Sequence, residues 1–241
     1  MKLSDINLMS RAVIAVDVWG KLAMFTRPEY KVERYSYDVP TPSSMRGLLQ
    51  SIYWHPSFDY EILGIQVHNP IRHMSMTRNE LPSMLSSGSV YGAMKQALEN
   101  GGRADPLGVS PYATRQQRSS SFLRDVRYTL YTKVVPLKNS PKPGELYDVE
   151  KIRHIIDRRL AKGSSFRSVY FGLKECTAFF APHNPKENPT SPYQGTTVDL
   201  GIMFFDSDYQ DKKVRPYFYH PFMVDGYIDV PSVREVISRA P

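Results

Sequence analysis

The sequence predicts an α+β fold of the ferredoxin-like, or RRM-like, kind. Two observations predict it: β-rich segments alternate with two amphipathic helical segments, and their order is strand–helix–strand–strand–helix–strand. The chain is also large enough to fold: 241 residues that are 41% hydrophobic can bury a core, which argues against a globally disordered chain. This fold can present an open sheet face on which unpaired bases stack, although a fold alone fixes no function.

The first strand and the first helix have clear start and stop signals. Apolar and β-branched residues over 12–18 indicate the strand, and Gly20 is the predicted stop. Thr41 is a predicted N-cap, followed by proline at the first helical position. The helix is predicted to run to about Tyr53 with one apolar face, and Pro56 prevents its continuation.

The second helix is predicted from Tyr147 to Lys162, with Gly163 as its stop. Its apolar residues recur at helical spacing, which places them on one face. They are Ile152, Ile155, Ile156 and Leu160. The remaining strands of the pattern are predicted over residues 59–68, 122–137 and 168–181.

Two further segments lie outside this pattern. Residues 79–119 are rich in Ser, Gly and Pro, and we expect an inserted segment there, with a helical turn or two at 94–100. The predicted organisation is an RRM-like RNA-binding domain over 1–182 that carries this insertion, then a smaller β-rich C-terminal extension over 183–241. The extension begins with a proline-rich loop, and its strands are predicted at about 196–206, 214–222 and 226–230.

The charge pattern favours a polyanionic partner. The net charge is +7 and the pI is about 9.3, and residues 81–175 hold sixteen Lys and Arg against eight Asp and Glu. No basic amphipathic helix with a broad apolar face is predicted, so nucleic acid is favoured over a membrane surface.

The compartment is indicated by three absences. The sequence has no apolar run long enough to span a membrane, and its first residues lack the apolar core of a signal peptide. Its single cysteine, Cys176, excludes an intramolecular disulfide. We therefore expect a cytoplasmic protein without membrane contact, with Cys176 buried in the fourth strand.

Residues 25–56 interleave basic and aromatic side chains before and within the first helix. Lys and Arg contact phosphates while aromatic rings stack on unpaired bases, so the mixture suits single-stranded nucleic acid. On composition alone, a solvated surface loop with buried tyrosines is the simpler interpretation. Packing in the core likewise explains the aromatic side chains at least as well as stacking on bases does, for Trp19, Tyr35, Tyr37 and Trp54.

Motifs for metal or nucleotide chemistry are missing. The six histidines have no zinc-site spacing and no surrounding carboxylate cluster. Neither a GxSxG elbow nor a GxxxxGK[ST] loop occurs. We therefore predict no metal and no cofactor.

An ordered series of short motifs runs along most of the chain. The main ones are Val18-Trp19-Gly20, FTRPEYKVERYSYDVPTPS from Phe25, Arg46-Gly47, Ile52-Tyr53-Trp54, Asn69-Pro70-Ile71 and Arg78-Asn79-Glu80. Weaker ones are Arg115-Gln116-Gln117-Arg118, Arg158-Arg159 with Gly163, and YFGLKEC from Tyr170. In this order the motifs closely resemble the Cas-five family of CRISPR-associated proteins, in the variant of the type I-C system, over roughly residues 12–205.

The resemblance implies metal-independent RNA cleavage. A base can activate the neighbouring 2′-hydroxyl, a cation can stabilise the phosphorane, and an acid can protonate the leaving oxygen. Family members of this kind use a tyrosine at the end of the first helix and a Lys-His pair before the second. The resemblance places these at Tyr53 and Lys151, but the adjacent histidine position is Ile152 here.

Ile152 lies on the predicted apolar face, so it is expected to pack in the core. His154 shares a helix surface with Lys151, and we hypothesise that it takes the acid or base role. Two alternatives stay open: His154 only contacts RNA or solvent, or the alignment slips by one residue.

Ten basic residues are candidates for RNA binding. Those before and in the first helix are implied to hold the 5′ handle of the guide RNA, and salt bridges to Glu29, Glu33 and Asp38 are the competing interpretation. The others lie at the far end of the insertion and around the turn after the second helix. The ten are Arg27, Lys31, Arg34, Arg46, Arg115, Arg118, Arg158, Arg159, Lys162 and Arg167.

The resemblance implies a guide-RNA subunit of the type I-C surveillance complex, Cascade. Such a subunit binds and cleaves precursor CRISPR RNA at the repeat and retains the 5′ handle. Its implied neighbours are Cas-seven and Cas-eight type subunits, with residues 79–119 as a thumb and target DNA met only indirectly. A non-catalytic structural cap on the guide RNA is the alternative, and an unrelated RRM-like RNA-binding module is a third hypothesis.

Overall fold

The computed structural model describes residues 12–30, 32–81, 86–102, 112, 115–137, 148–208 and 214–239. Helices are interspersed among the strands, and most strands lie in one large sheet. In chain order they are β1 (Val13–Ala23), β2 (Arg34–Tyr35), α1 (Pro42–Ile52), β3 (Phe58–Val67), β4 (His73–Glu80), α2 (Ser87–Glu99), β5 (Gln116–Pro136), α3 (Val149–Lys162), β6 (Phe179–Pro182), β7 (Thr197–Asp199), β8 (Met203–Asp208), β9 (Arg215–Tyr219), β10 (Phe222–Val224), β11 (Tyr227–Asp229) and α4 (Val233–Arg239).

The centre of the large sheet has the strand order β6-β1-β5-β3, and each neighbouring pair is antiparallel. With α1 after β1 and α3 after β5, this is the connectivity of a ferredoxin-like sheet. Alternate residues of β1, among them Ile14, Val16 and Val18, belong to the main apolar core. The predicted α+β, RRM-like fold class is therefore confirmed.

Both predicted helices form: α1 lies between its predicted end signals, and α3 ends at its predicted stop. The Thr41 side chain accepts a hydrogen bond from the Ser44 amide at 3.3 Å, which caps α1. The Asp148 side chain caps α3 by accepting from the amides of residues 150 and 151, and Gly163 ends it in the left-handed region at φ 61°. The predicted start of this helix at Tyr147 lies outside the described residues.

Several predicted strand bounds are wrong, and β5 begins at Gln116 rather than at residue 122. β1 continues through Gly20, where a Cβ atom would lie 2.7 Å from the Thr177 carbonyl oxygen, so this glycine permits close packing rather than ending the strand. The predicted strand over 168–181 is reduced to Phe179–Pro182, because the preceding residues form a bend closed by a bridge between Tyr170 and Thr177. Cys176 is buried as expected, but it lies in this bend.

The sheet also has a strand that was not predicted. β4 pairs antiparallel with the first half of β5, from His73 opposite Leu123 to Glu80 opposite Gln116. Most of its side chains are exposed, so it lacks the apolar alternation that identifies strands in sequence. Between β4 and β5 the predicted turn at 94–100 is part of the longer helix α2, which buries none of its described side chains.

The C-terminal residues extend the large sheet. β11 pairs with β3, and β10 and β7 follow it, while β8 and β9 form a separate two-stranded sheet. The predicted strand over 196–206 is thus two short strands in different sheets. The predicted division at residue 182 stays a prediction. Within the described ranges, no helix is both long and apolar enough to cross a membrane.

Candidate active site and nucleic-acid interface

Tyr53 follows the last residue of α1 in an extended conformation, with φ −148° and ψ 125°. Its backbone N–H donates to the Leu49 carbonyl at 3.0 Å, and its carbonyl accepts from the Tyr60 hydroxyl at 2.8 Å. Its ring packs against Phe58 with a centroid separation of 5.6 Å. These contacts fix the tyrosine at the end of α1, which is where the resemblance requires it.

Arg159 on α3 is the cation beside Tyr53. Its guanidinium carbon lies 5.1 Å from the Tyr53 ring centroid, and Nη1 donates to the Ile52 carbonyl at 2.7 Å. The hydrogen bond satisfies a carbonyl at the C-terminus of α1, and the cation lies over the ring face. Arg159 was predicted to bind RNA, and this geometry also gives it a role in positioning Tyr53.

Lys151 and His154 are both exposed in the first half of α3. With 3.6 residues per turn they share a face with Arg158 and Lys162, opposite the buried face of the helix. We call these four residues the basic stripe of α3. At 1.5 Å of rise per residue, Lys151 lies about 12 Å along the helix from Arg159. Among the described residues, no hydrogen bond, ion pair or ring contact joins Lys151 or His154 to Tyr53.

Ile152 occupies the position where the resemblance places the family histidine. Its side chain is 7% exposed and packs in the main core with Ile156 and Leu160. The expectation that Ile152 is a core residue is therefore confirmed. The acid or base role of His154 stays a prediction.

The predicted RNA-binding residues differ in how freely their charges can act. Arg158 and Lys162 are exposed and have no ion-pair partner among the described residues. Arg167 is exposed with its guanidinium 5.5 Å from the Phe166 ring centroid, and Arg115 lies 5.7 Å from the Tyr112 ring. None of these four side chains has an ion-pair partner in the described ranges, so each can reach a phosphate without breaking such a pair.

Other predicted RNA-binding residues are engaged with carboxylates. Arg34 donates Nε to Glu80 at 3.0 Å, and Arg118 lies 3.7 Å from the same carboxylate. Arg46 makes a two-pronged pair with Asp206 on β8, in which Nη2 and Oδ1 are 2.9 Å apart. Arg27 pairs with Glu29 at 3.5 Å. Lys31 lies outside the described residues.

The competing salt-bridge interpretation therefore has support in these contacts. Of the acidic partners suggested for it, only Glu29 is used by one of these arginines; the main partners, Glu80 and Asp206, come from distant strands. Their RNA contacts stay predictions.

The aromatic side chains of residues 25–56 are divided between the core and the surface. Tyr37 is buried, whereas Trp54 is 53% exposed, so core packing is wrong for Trp54. Tyr35 is exposed and stacks between Tyr30 and His73, with both centroid separations at 5.6 Å. The sequence gives no sign that His73 joins this stack, because Tyr35 is 38 positions away and the fold brings the two rings together.

A buried polar network lies on the sheet face opposite the helices. His183 Nδ1 and the Thr129 hydroxyl contact Asp17 Oδ1 at 2.8 and 2.6 Å, and the Asn184 amide donates to Oδ2 at 3.0 Å. Burial alone would raise the pKa of Asp17, but these hydrogen bonds outweigh it and hold the pKa below its ordinary value. Burial lowers the pKa of His68, whose Nε2 lies 2.7 Å from the Thr129 hydroxyl oxygen.

This network has a consequence for RNA recognition. Residues 183–189 are held against the sheet face that RRM-like proteins leave open. The sheet face that this fold can present to unpaired bases is therefore partly covered in this protein. Within the described ranges, no group of three or more His, Cys, Asp or Glu side chains could hold a metal ion.

A ferredoxin-like sheet, a helix with an exposed basic stripe and exposed aromatic rings together are typical of an RNA-binding protein. Comparison with known families gives the particular group. The model of the family described as CRISPR-associated protein (Cas_Cas5) matches residues 13–231, and the chain belongs to this family.

Individual relatives agree with this assignment. The chain is 38% identical over 221 residues to the CRISPR pre-crRNA endoribonuclease Cas5d of Mannheimia succiniciproducens, covering 90% of this chain and 94% of the relative. It is 34% identical over 241 residues to the protein of the same name from Thermus thermophilus, covering 92% of both. A solved CRISPR-associated protein has the same fold, with a TM-score of 0.66 and 25% identity over 93% of this chain and 94% of that one.

Proposed function

We propose that this chain is a metal-independent endoribonuclease of the type I-C CRISPR system, which cleaves precursor CRISPR RNA at the repeat and retains the 5′ handle. The observation that carries the proposal is the family membership of the chain, together with relatives named pre-crRNA endoribonucleases over nine-tenths of its length. The placement of Tyr53 at the end of α1, beside a fixed cation, supports it.

The proposed chemistry is an internal transfer at one phosphodiester. The 2′-hydroxyl attacks the adjacent phosphorus, the P–O5′ bond breaks, and a 2′,3′-cyclic phosphate and a 5′-hydroxyl result. Tyr53 and His154 exchange protons with the attacking and leaving oxygens, and Lys151 stabilises the charged phosphorane. Because Lys151 lies about 12 Å along α3 from Arg159, which contacts the Tyr53 ring, we propose that the RNA lies along α3 and brings these groups to one phosphate.

The strongest candidates for RNA contacts are the basic side chains that have no ion-pair partner in the part of the chain that the structure describes. Arg115, Arg158, Lys162 and Arg167 contact the backbone of the repeat and Arg159 contacts it beside Tyr53. The assembly proposed is a cytoplasmic Cascade complex in which Cas-seven and Cas-eight type subunits are neighbours, and the guide RNA meets target DNA.

A non-catalytic cap is the second candidate function. Two observations favour it: the position after Lys151 is a buried isoleucine, and no described contact joins Tyr53 to Lys151 or His154. In that case the protein binds processed RNA tightly and another protein makes the cut.

Cleavage of the cognate repeat hairpin by the full-length protein in excess EDTA tests the proposal. Wild type is compared with Tyr53→Phe, Lys151→Ala and His154→Ala, and with Lys174→Ala as a matched exposed-lysine control outside the stripe. We expect one cut with a cyclic-phosphate end, lost in the first three variants and kept in the control. Loss in Lys151→Ala but not in His154→Ala would remove His154 from the mechanism, and tight binding without any cut by wild type would establish the cap.

A further inference from the structure

We infer that the cleft between the end of α1 and the turn after α3 binds one unpaired nucleobase of the repeat RNA, next to the bond that is cut. The inference rests on the proposed function and adds a specificity site to it. The cleft has a volume of about 450 Å³, and its lining includes Gln50, Ser51 and Trp54 from one side and Phe166 and Arg167 from the other.

The two sides of the cleft are joined by backbone hydrogen bonds. The amides of Phe166 and Arg167 donate to the Ser51 carbonyl at 2.9 and 3.0 Å. Gly163 ends α3 and the chain turns directly into these contacts. The Phe166 ring is therefore brought to the end of α1 by fixed backbone, which gives the cleft a defined shape before any ligand binds.

The cleft exposes aromatic surface that the fold leaves unburied. Trp54 is 53% exposed and Phe166 is 65% exposed, and both line the same cleft. Side chains of this size bury large apolar areas when they find a partner, and aromatic platforms for unpaired bases use them in this way.

The polar groups of the cleft match a nucleotide. Its lining residues include Arg167 and no carboxylate, which favours an anionic ligand. Gln50 donates Nε2 to Asp59 at 2.8 Å, and its amide oxygen makes no further hydrogen bond to any described residue. An acceptor of this kind suits the exocyclic amino group of a base, and the cleft volume is in the range of small-ligand sites.

The position of the cleft gives it a role in choosing the cut. Ser51 and Trp54 flank Ile52 and Tyr53 in sequence, so a base held in the cleft places its sugar and phosphate at the end of α1. A nucleotide fixed there sets which phosphodiester reaches Tyr53.

Tryptophan fluorescence can test the inference, because the chain has two Trp residues. In the Trp19→Phe variant Trp54 is the single reporter. The probe is the repeat RNA with 2′-deoxyribose at the nucleotide before the cut, so that it binds without cleavage. We expect the RNA to quench Trp54, and one abasic position beside the cut to abolish the quenching and weaken binding about tenfold.

A matched set of variants completes the experiment. In Phe166→Ala the same abasic substitution is expected to cause no further loss, whereas in Phe222→Ala, an exposed aromatic on β10, it keeps its full effect. If wild type binds and cuts the RNA but the RNA leaves the Trp54 fluorescence unquenched, the base-binding cleft is refuted and the nuclease activity stands. Quenching at one position without cleavage of the natural repeat would refute the nuclease and keep the cleft. Quenching that no abasic position removes would point to an occupant other than a base.

Discussion

Replacing Ile152 by histidine restores the family's Lys-His sequence and tests whether position 152 can take part in catalysis. In the structure this side chain is 7% exposed and packs in the main core beside Ile156 and Leu160. The imidazole would enter an apolar environment between α3 and the sheet. We therefore expect Ile152→His to destabilise the fold and to leave the cleavage rate no higher than that of wild type.

The magnitude follows from two contributions to the free energy of unfolding. Losing the burial of an isoleucine side chain costs about 2 kcal/mol, and burying an imidazole without a partner costs about 1–3 kcal/mol. The expected total of about 3–5 kcal/mol is a large part of the 5–15 kcal/mol that stabilises most proteins. For a chain of this size it corresponds to a fall in Tm of about 10 °C.

Thermal unfolding at pH 7.5, with repeat cleavage measured well below the transition, gives both readouts. The matched control is Ile155→His on the same helix, because Ile155 is only partly buried and its imidazole can reach water. A variant Ile152→His as stable as this control, and cleaving faster than wild type, would show that position 152 faces the site. That result would refute the placement of Ile152 in the core and the assignment of His154.

Three further predictions concern the fold around the site. Arg46→Ala and Asp206→Ala should lower the free energy of unfolding by a similar amount, about 1–2 kcal/mol, because each breaks the same pair; a selective loss of RNA affinity in Arg46→Ala would instead show a phosphate contact. Gly172→Ala should lower the free energy of unfolding by about 3 kcal/mol or more, because φ is +77° and the new Cβ would collide with a backbone carbonyl oxygen. The control is Gly201→Ala, at φ +67° in open space, which should lower it by about 1 kcal/mol in the same denaturant titration. Because the pKa of His68 is lowered in the folded protein, the unfolded chain binds more protons than the folded one below about pH 6.5. Acidification from pH 7.5 to 5.5 should therefore lower the Tm of wild type more than that of His68→Gln. Equal shifts in Tm would show that His68 is not the group responsible.

Local signals in the sequence predicted the helices well. Thr41 with a following proline, and Gly163 after an apolar face of period 3.6, are short-range features whose physical effect does not depend on the rest of the chain. The same local reasoning placed Tyr53 at the end of α1 and Ile152 in the core. Long-range pairing explains the failures, since β4 is an exposed, polar strand that exists only because β5 lies beside it.

Three features can be read from the sequence alone: the RRM-like order of elements, the basic excess of the middle of the chain and the resemblance to the family. Each of these follows from composition, periodicity or the order of motifs along the chain, none of which requires knowing which distant residues are in contact. Which charges are engaged depends on the tertiary structure: Arg46 and Arg34 meet carboxylates from β8 and β4, while Arg158 and Arg167 have no ion-pair partner among the described residues. The cleft that Trp54 shares with Phe166 also depends on the tertiary structure, because the backbone hydrogen bonds at this cleft join segments more than a hundred residues apart.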